Sequence, residues 1–189
     1  MLTVVQLESN KKKFLETNEK YKILTEELLT FLGEDLYIAP ASTTLDMYGC
    51  FPGGLLNNTI KACKYAIQIN DLLPVSNRVS KDSIVKCTFI SQIGKVFMLV
   101  PNESEWHRKN LGKMYDFRET EVKLKSSERS VYYATRFGVS LTEEEFQAVI
   151  NYEKDNDDKQ AKYFSLPLTQ IIKQGFDLAI LEEKNGFKN

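Results

Sequence analysis

The segment from Leu36 to Ile69 constrains the fold more than any other part of the chain. It opens with an apolar run and continues through a stretch that contains two prolines and three glycines. Prolines and glycines at this density are incompatible with a regular helix over 36–54. After Gly54, apolar residues return at helical spacing: Leu55, Leu56, Ile60, Cys63, Ile67 and Ile69. The segment therefore predicts a structured loop over 36–54 that leads into a helix over 55–73.

Apolar periodicity of three and four predicts further helices along the chain. The predicted ranges are 8–32, 83–99, 127–137, 142–152 and a last helix that begins at 166. The helix over 83–99 is apolar nearly all round, which is typical of a centrally buried helix. In the predicted helix over 142–152, Thr142 and Glu145 have the spacing of a capping box, so we expect the Glu145 carboxylate to bind the backbone of Thr142.

The remaining stretches are polar and predict irregular structure. In 101–126 a weak alternation of Met114, Tyr115 and Phe117 with Val122 and Leu124 predicts one short β-hairpin. Residues 153–162 predict a charged loop. The sum is an all-α bundle of five to seven helices without βαβ units, which excludes a Rossmann-type fold. We expect an N-terminal helix over 1–35 packed on a helical domain over 36–183, with a flexible tail over 184–189.

Charge and cysteine content narrow the classes of function. The net charge is −1, with 25 basic and 26 acidic residues, so the basic excess of a nucleic-acid-binding protein is missing. No apolar run reaches the length of a membrane span. Three cysteines without a CxxC pair and one histidine make a poor zinc set. We expect Cys63 and Cys87 to be core residues, because they fall in apolar helical stretches. We expect a cytoplasmic protein, because the cysteine count is odd and no signal peptide is present.

Six segments, taken in chain order, resemble one enzyme superfamily. They are APAST (39–43), MYGCFPGGLLNNT (47–59), CTFISQIGK (87–95), KSSERSVYY (125–133), LTEEEFQAVINY (141–152) and LPLTQIIKQGFDLAI (166–180). Together they resemble the HD-domain superfamily of metal-dependent phosphohydrolases. The resemblance is closest to the compact HD proteins of bacteriophages and to the HD domain attached to a bacterial 3′–5′ exoribonuclease. It implies an HD-like helical fold.

The resemblance also implies which positions would bind metal. Family ligands align with six positions, which we call the aligned positions: Asn58, Ser91, Gln92, Ser126, Tyr152 and Asp177. Only Asp177 keeps the residue type of a family ligand, and the single histidine, His107, lies in a stretch that predicts irregular structure. Neutral amides and hydroxyls bind transition metals poorly. We therefore expect no metal, no cofactor and no catalysis. We expect Asn58, Gln92 and Asp177 to hydrogen-bond to one another, or Asp177 to pair with a nearby lysine.

These expectations favour a pseudoenzyme, encoded by a phage, that binds a protein partner as an inhibitor, accessory factor or complex component. A second interpretation is a nucleotide-binding module that uses the old cleft, with Lys95, Arg129 and Arg136 as candidate contacts. A third is a residual metal-dependent phosphohydrolase or nuclease with a rearranged site. A homodimer formed through the apolar face of the N-terminal helix is a fourth.

Overall fold

The computed structural model describes residues 2–153 and 166–185, and most of the predicted charged loop and residues 186–189 of the predicted tail fall outside them. Within these ranges the chain forms nine α-helices, a short 3-10 turn at Val75–Asn77 and one two-stranded sheet. The α-helices are α1 (Val4–Tyr21), α2 (Glu26–Leu32), α3 (Asp35–Ile38), α4 (Gly54–Leu72), α5 (Lys81–Ile93), α6 (Glu105–Leu111), α7 (Ser126–Arg136), α8 (Glu143–Asn151) and α9 (Pro167–Asn185). The all-α prediction with one hairpin is confirmed. No described helix is both long and apolar enough to cross a membrane.

Helix α5 lies at the centre of the bundle. Every residue from Cys87 to Ile93 is buried, and α4, α7, α8 and α9 all pack against the helix. The predicted central helix is therefore present, but it ends at Ile93 instead of Leu99. At Gly94 the backbone N–H donates to the Ser130 hydroxyl at 2.9 Å, so a side chain on α7 takes the bond that would continue the helix.

Helices α4 and α9 form the most extensive helix pair. Their backbones approach closely at Gly175, because a side chain there would meet the Ala62 carbonyl oxygen at 2.6 Å and the Ala66 methyl at 3.0 Å. Small residues on both helices permit this approach. The contact holds the start of α4, and the loop before it, in a fixed position relative to α9.

The predicted N-terminal helix over 8–32 is two helices, which is a correction. The chain leaves α1 at Lys22, whose φ of 50° is left-handed. The buried Asn18 side chain stabilises the break, since its Oδ1 accepts from the Leu24 N–H at 2.7 Å and its Nδ2 donates to the Leu24 carbonyl at 3.2 Å. Thr25 then caps α2. The apolar period continues across the break, so periodicity alone missed it.

The short elements also depart from the prediction. Helices α3 and α6 lie in stretches predicted to be irregular, and His107 belongs to α6, whose first turn is capped by Ser104. The hairpin pairs β1 (Leu99–Pro101) with β2 (Tyr115–Phe117) in antiparallel register. Thus 115–117 is a strand as expected. Its partner strand is 99–101, which begins at the last residue of the predicted central helix, and not 122–124.

Helix α8 begins as predicted. The Thr142 hydroxyl accepts from the Glu145 N–H, and the Glu145 carboxylate accepts from the Thr142 N–H at 3.0 Å. The buried Glu145 carboxylate also accepts from the Ser83 hydroxyl and from the Lys86 ammonium at 2.8 Å. A local cap therefore also joins α8 to α5.

The close approach at Gly175 makes a prediction about stability. Gly175→Ala should lower the free energy of unfolding by about 1–3 kcal/mol, because the added methyl group must separate α4 from α9. Helix propensity alone would raise it by about 1 kcal/mol. Urea unfolding measures the sign, with the exposed neighbour Gln174→Ala as control. A stabilised Gly175→Ala variant would show that the helices do not approach as described.

Candidate functional site

Two adjoining cavities lie beside the end of α5. The polar cavity has a volume of about 170 Å³ and is lined by Gln92, Lys95, Tyr152, Glu153, Asp177 and neighbouring residues. The apolar cavity has a volume of about 240 Å³ and is lined mainly by Ala41, Met47, Met98, Leu99 and Phe117. Tyr48 and Lys95 line both cavities, so the two form one cleft.

The loop before α4 forms one wall of this cleft. Gly49 and Gly53 have φ values of 62° and 77°, a left-handed backbone that favours glycine. The Gly49 N–H donates to the Glu183 carboxylate of α9 at 2.7 Å, and the Gly49 carbonyl accepts from the Ala41 N–H. These bonds place Ala41 and Tyr48 at the cleft.

A hydrogen-bonded cluster centred on Glu153 lies between the cavities. The Glu153 carboxylate accepts from the Tyr152 hydroxyl at 2.7 Å, from the Lys95 ammonium at 2.7 Å and from the Ser126 hydroxyl at 3.0 Å. Gln92 Nε2 donates to the Tyr152 hydroxyl at 2.7 Å and to the Ser91 hydroxyl at 3.1 Å. We call these six residues the Glu153 cluster. It joins α5, α7 and the end of α8.

Charge in the cluster is balanced. Burial alone would raise the pKa of Glu153, but the Lys95 charge and the three donors outweigh burial and hold that pKa below its ordinary value. Burial likewise would lower the pKa of Lys95, but the oxygens of Tyr152, Tyr48 and Glu153 raise it. Burial raises the pKa of Tyr152, so its phenol keeps the proton that it donates. The cluster therefore holds one carboxylate and one ammonium at neutral pH.

The structure brings together five of the six aligned positions. Ser91, Gln92, Ser126 and Tyr152 belong to the Glu153 cluster, and Asp177 lines the polar cavity. The expected Asn58–Gln92–Asp177 network is wrong, because Gln92 binds Ser91 and Tyr152 instead. Asp177 is 59% exposed and pairs with Lys173 at 3.6 Å. Asn58 is buried on α4, and its Oδ1 has no hydrogen-bond partner among the described residues.

Lys95, Arg129 and Arg136, the candidate ligand contacts, do not converge on one site. Lys95 lies in the cleft, bound to Glu153. Arg129 lines a different cavity, and the Arg136 guanidinium lies over the rings of Phe31 and Phe137. The cleft is lined by two cations, Lys95 and Lys173, and each is paired with a carboxylate, Glu153 and Asp177 respectively.

Glu153 is the central residue that the sequence did not single out. The sequence predicts that Glu153 belongs to a charged loop, and no residue pattern distinguishes it. The available signal was Lys95, because a cation beside a buried helix end requires an anionic partner. The carboxylate next to the aligned Tyr152 was a reasonable candidate for that partner.

The residues of the cleft do not fit the divalent metal that the family resemblance implies. Four of the aligned positions carry amides or hydroxyls that already hydrogen-bond within the Glu153 cluster, and an ammonium group lies among them. Across residues 2–153 and 166–185, no group of three or more His, Cys, Asp or Glu side chains is placed to hold a metal ion. The donor set suits an internal salt bridge, not a metal centre.

The buried Cys63 and Cys87 do not have the features of activated nucleophiles either. Burial raises the pKa of Cys63 to about 12, and burial also raises the pKa of Cys87. Both are core residues, as predicted. A thiol with a raised pKa is a poor nucleophile at neutral pH.

Comparisons of the chain with protein-family models, with curated proteins and with solved structures gave no match. The site must therefore be interpreted from its own residues.

The lowered pKa of Glu153 predicts a pH dependence of stability. The unfolded chain binds this proton more readily, so the cluster stabilises the fold fully above the unfolded-state pKa of about 4.3. The contribution is lost as pH falls through the lower folded-state pKa. Glu153→Gln should lower the free energy of unfolding at pH 7 by about 1 kcal/mol, a value that allows for the screening of a side chain 42% exposed.

Urea unfolding between pH 3 and pH 7 measures this effect. The difference between wild type and Glu153→Gln should shrink on acidification, while the exposed Glu103→Gln variant should follow wild type at every pH. Parallel curves for wild type and Glu153→Gln would show that Glu153 does not titrate with a lowered pKa.

Proposed function

We propose that the chain is a pseudoenzyme with an HD-like fold that binds a protein partner at the cleft. The observation that carries the proposal is the Glu153 cluster. An ammonium–carboxylate pair, held by amide and hydroxyl groups, lies where the aligned positions of an HD enzyme would hold metal. The polar groups of such a cluster are bound to one another, so they are not free to act as ligands of a metal ion.

Convergence of distant segments supports the HD relationship. The aligned residues come from α5, α7, α9 and the end of α8, separated by up to 86 positions between Ser91 and Asp177. Five of them nevertheless meet at one cleft. The APAST segment contributes Ala41, Ser42 and Thr43 to the same cleft. A chance match of short motifs would give no reason for this convergence.

The cleft suits an apolar group from another protein better than a nucleotide. Met47 is 46% exposed and Phe117 is 67% exposed, and both line the apolar cavity beside Met98. Methionine and aromatic side chains are enriched at protein interfaces, and methionine adapts to partners of different shape. A phosphate, in contrast, would find in the cleft only Lys95 and Lys173, whose charges Glu153 and Asp177 already pair.

The kind of partner follows from the same resemblance. Because the segments are closest to compact bacteriophage HD proteins, we propose that the chain acts in the cytoplasm of a bacterial host. Its partner would be a host enzyme or defence protein that it inhibits, or a component of a phage complex. An apolar side chain of that partner would enter the cavity between Met47 and Phe117.

Metal content tests the inactive site. Tag-free protein should hold far less than one metal ion per chain after purification. The same result is expected after incubation with Mn²⁺, Mg²⁺, Fe²⁺ or Zn²⁺ and desalting, because the donor set fits none of them. Plasma mass spectrometry gives the ratio. One tightly held ion per chain, lost in Asp177→Ala together with metal-dependent phosphohydrolase turnover, would replace this proposal with a rebuilt enzyme site.

Capture from a bacterial lysate tests the binding surface. Met47→Asp should reduce recovery of the specific partner at least about tenfold, because a carboxylate would be buried against the apolar anchor. Val75→Asp, at an exposed apolar position in the 3-10 turn that follows α4, should recover the same protein as wild type. Equal recovery by Met47→Asp and wild type would place the interface elsewhere.

A further inference from the structure

A third cavity lies on the other side of Met98 and Phe117 from the Glu153 cluster. It has a volume of about 210 Å³ and lies between the hairpin, the segment after it and α7. Three of its lining residues are cationic, Arg118, Lys123 and Arg129, and two are aromatic, Phe97 and Phe117. We call it the cationic cavity. It is separate from the polar cavity, with which it shares no lining residue.

The charge of the cationic cavity is uncompensated. No aspartate or glutamate lines it. Glu119 and Glu121 belong to the same segment but are exposed and do not line the cavity. Among the described residues, none of the three cations forms a salt bridge. Many lysines of this chain, in contrast, are paired with an acid, for example Lys61 with Glu182 and Lys86 with Glu145.

Arg129 shows most directly that an acceptor is missing. Its Nε lies inside the protein surface, and no acceptor in the described parts of the chain binds it. A guanidinium group only donates hydrogen bonds and offers no acceptor. A buried donor without a partner destabilises the fold. Arg129 also lines the cavity, so an anion there would lie beside its uncompensated charge.

The residues that line the cavity indicate which chemical groups the ligand would have. Arginine presents a planar pair of donors that matches phosphate geometry, and two arginines with a lysine match a dianion better than a single carboxylate. The rings of Phe97 and Phe117 offer apolar contacts beside the charged groups. The volume suits a small molecule. We propose that the cationic cavity binds a small organic phosphomonoester, with its phosphate on Arg118, Lys123 and Arg129 and its apolar group on the two phenylalanine rings.

The charged part of this site does not depend on the proposed protein-binding cleft, although Met98 and Phe117 line both the cationic cavity and the apolar cavity. In the Glu153 cluster, Glu153 neutralises Lys95, whereas no acid neutralises any of the three cations of the cationic cavity. A chain that binds no protein partner would still carry the cavity. The experiment below uses no partner protein, so its outcome is separate from that of the capture experiment.

Isothermal titration calorimetry with phenyl phosphate tests the proposal on the full chain at fixed ionic strength. Phenyl phosphate should bind with one site per chain, and more tightly than inorganic phosphate, because the ring contacts the phenylalanines. Phenol, which has the ring without the charge, should not bind at the same concentration. Affinity should fall as sodium chloride is raised, since the contacts are largely electrostatic.

Substitutions assign the site. Arg129→Gln should weaken phenyl phosphate binding at least about tenfold, because a charge-assisted hydrogen bond is lost. Arg118→Gln and Lys123→Gln, at exposed positions where folding is not at risk, should weaken it in the same direction. Arg108→Gln, an exposed cation on α6 outside the cavity, should bind like wild type.

Three results would overturn the proposal. The first is no binding of phenyl phosphate at millimolar concentration by the wild-type chain. The second is binding that Arg118→Gln, Lys123→Gln and Arg129→Gln all leave unchanged, which would place the ligand elsewhere. Equal affinity for phenyl phosphate and inorganic phosphate would reject the organic group and hence the phosphomonoester.

Discussion

The burial of α5 on every side is the constraint on which the rest of the structure depends. A helix in this position cannot leave polar side chains without partners, since water does not reach them. Thr88 therefore donates to the Ile84 carbonyl within the helix, and Ser91 donates to the Thr88 carbonyl. Gln92 is too long for such a local solution and donates to the Tyr152 hydroxyl at the end of α8. The polar end of one buried helix thus determines which groups must surround it, and the cleft forms there.

The same constraint explains why the Glu153 cluster is a poor site for catalysis and a good element of structure. Its donors are directed to acceptors of the chain itself, and the buried tyrosine keeps its proton. Buried polar groups that are fully satisfied favour one arrangement of the helices, because any other arrangement leaves a group unpaired. The cluster joins α5 to the consecutive helices α7 and α8.

The sequence predicted the parts of the fold that depend on local chemistry. Helix α4 after Gly54, the start of α9 near Pro167 and the cap between Thr142 and Glu145 each follow from a residue type at a defined spacing. The break at Lys22 was missed because Asn18 stabilises it by bonding across six residues, and this bond leaves the apolar period intact. The role of Glu153 was missed for a related reason. Two of its three partners, Lys95 and Ser126, come from distant segments, and only the folded chain brings them within hydrogen-bond distance.

The cavities of this protein differ in whether their cations are paired with carboxylates, more than in how many charges they contain. The chain as a whole is nearly neutral, so its net charge alone predicts no anionic ligand. Lys95 has a carboxylate within 2.7 Å and is electrostatically satisfied before any ligand arrives. Arg118, Lys123 and Arg129 have no such carboxylate among the described residues, although Glu119 and Glu121 are their neighbours in the chain. The acids are exposed and do not line the cavity, so the cations around its aromatic wall keep an attraction for an anion that no lining carboxylate neutralises.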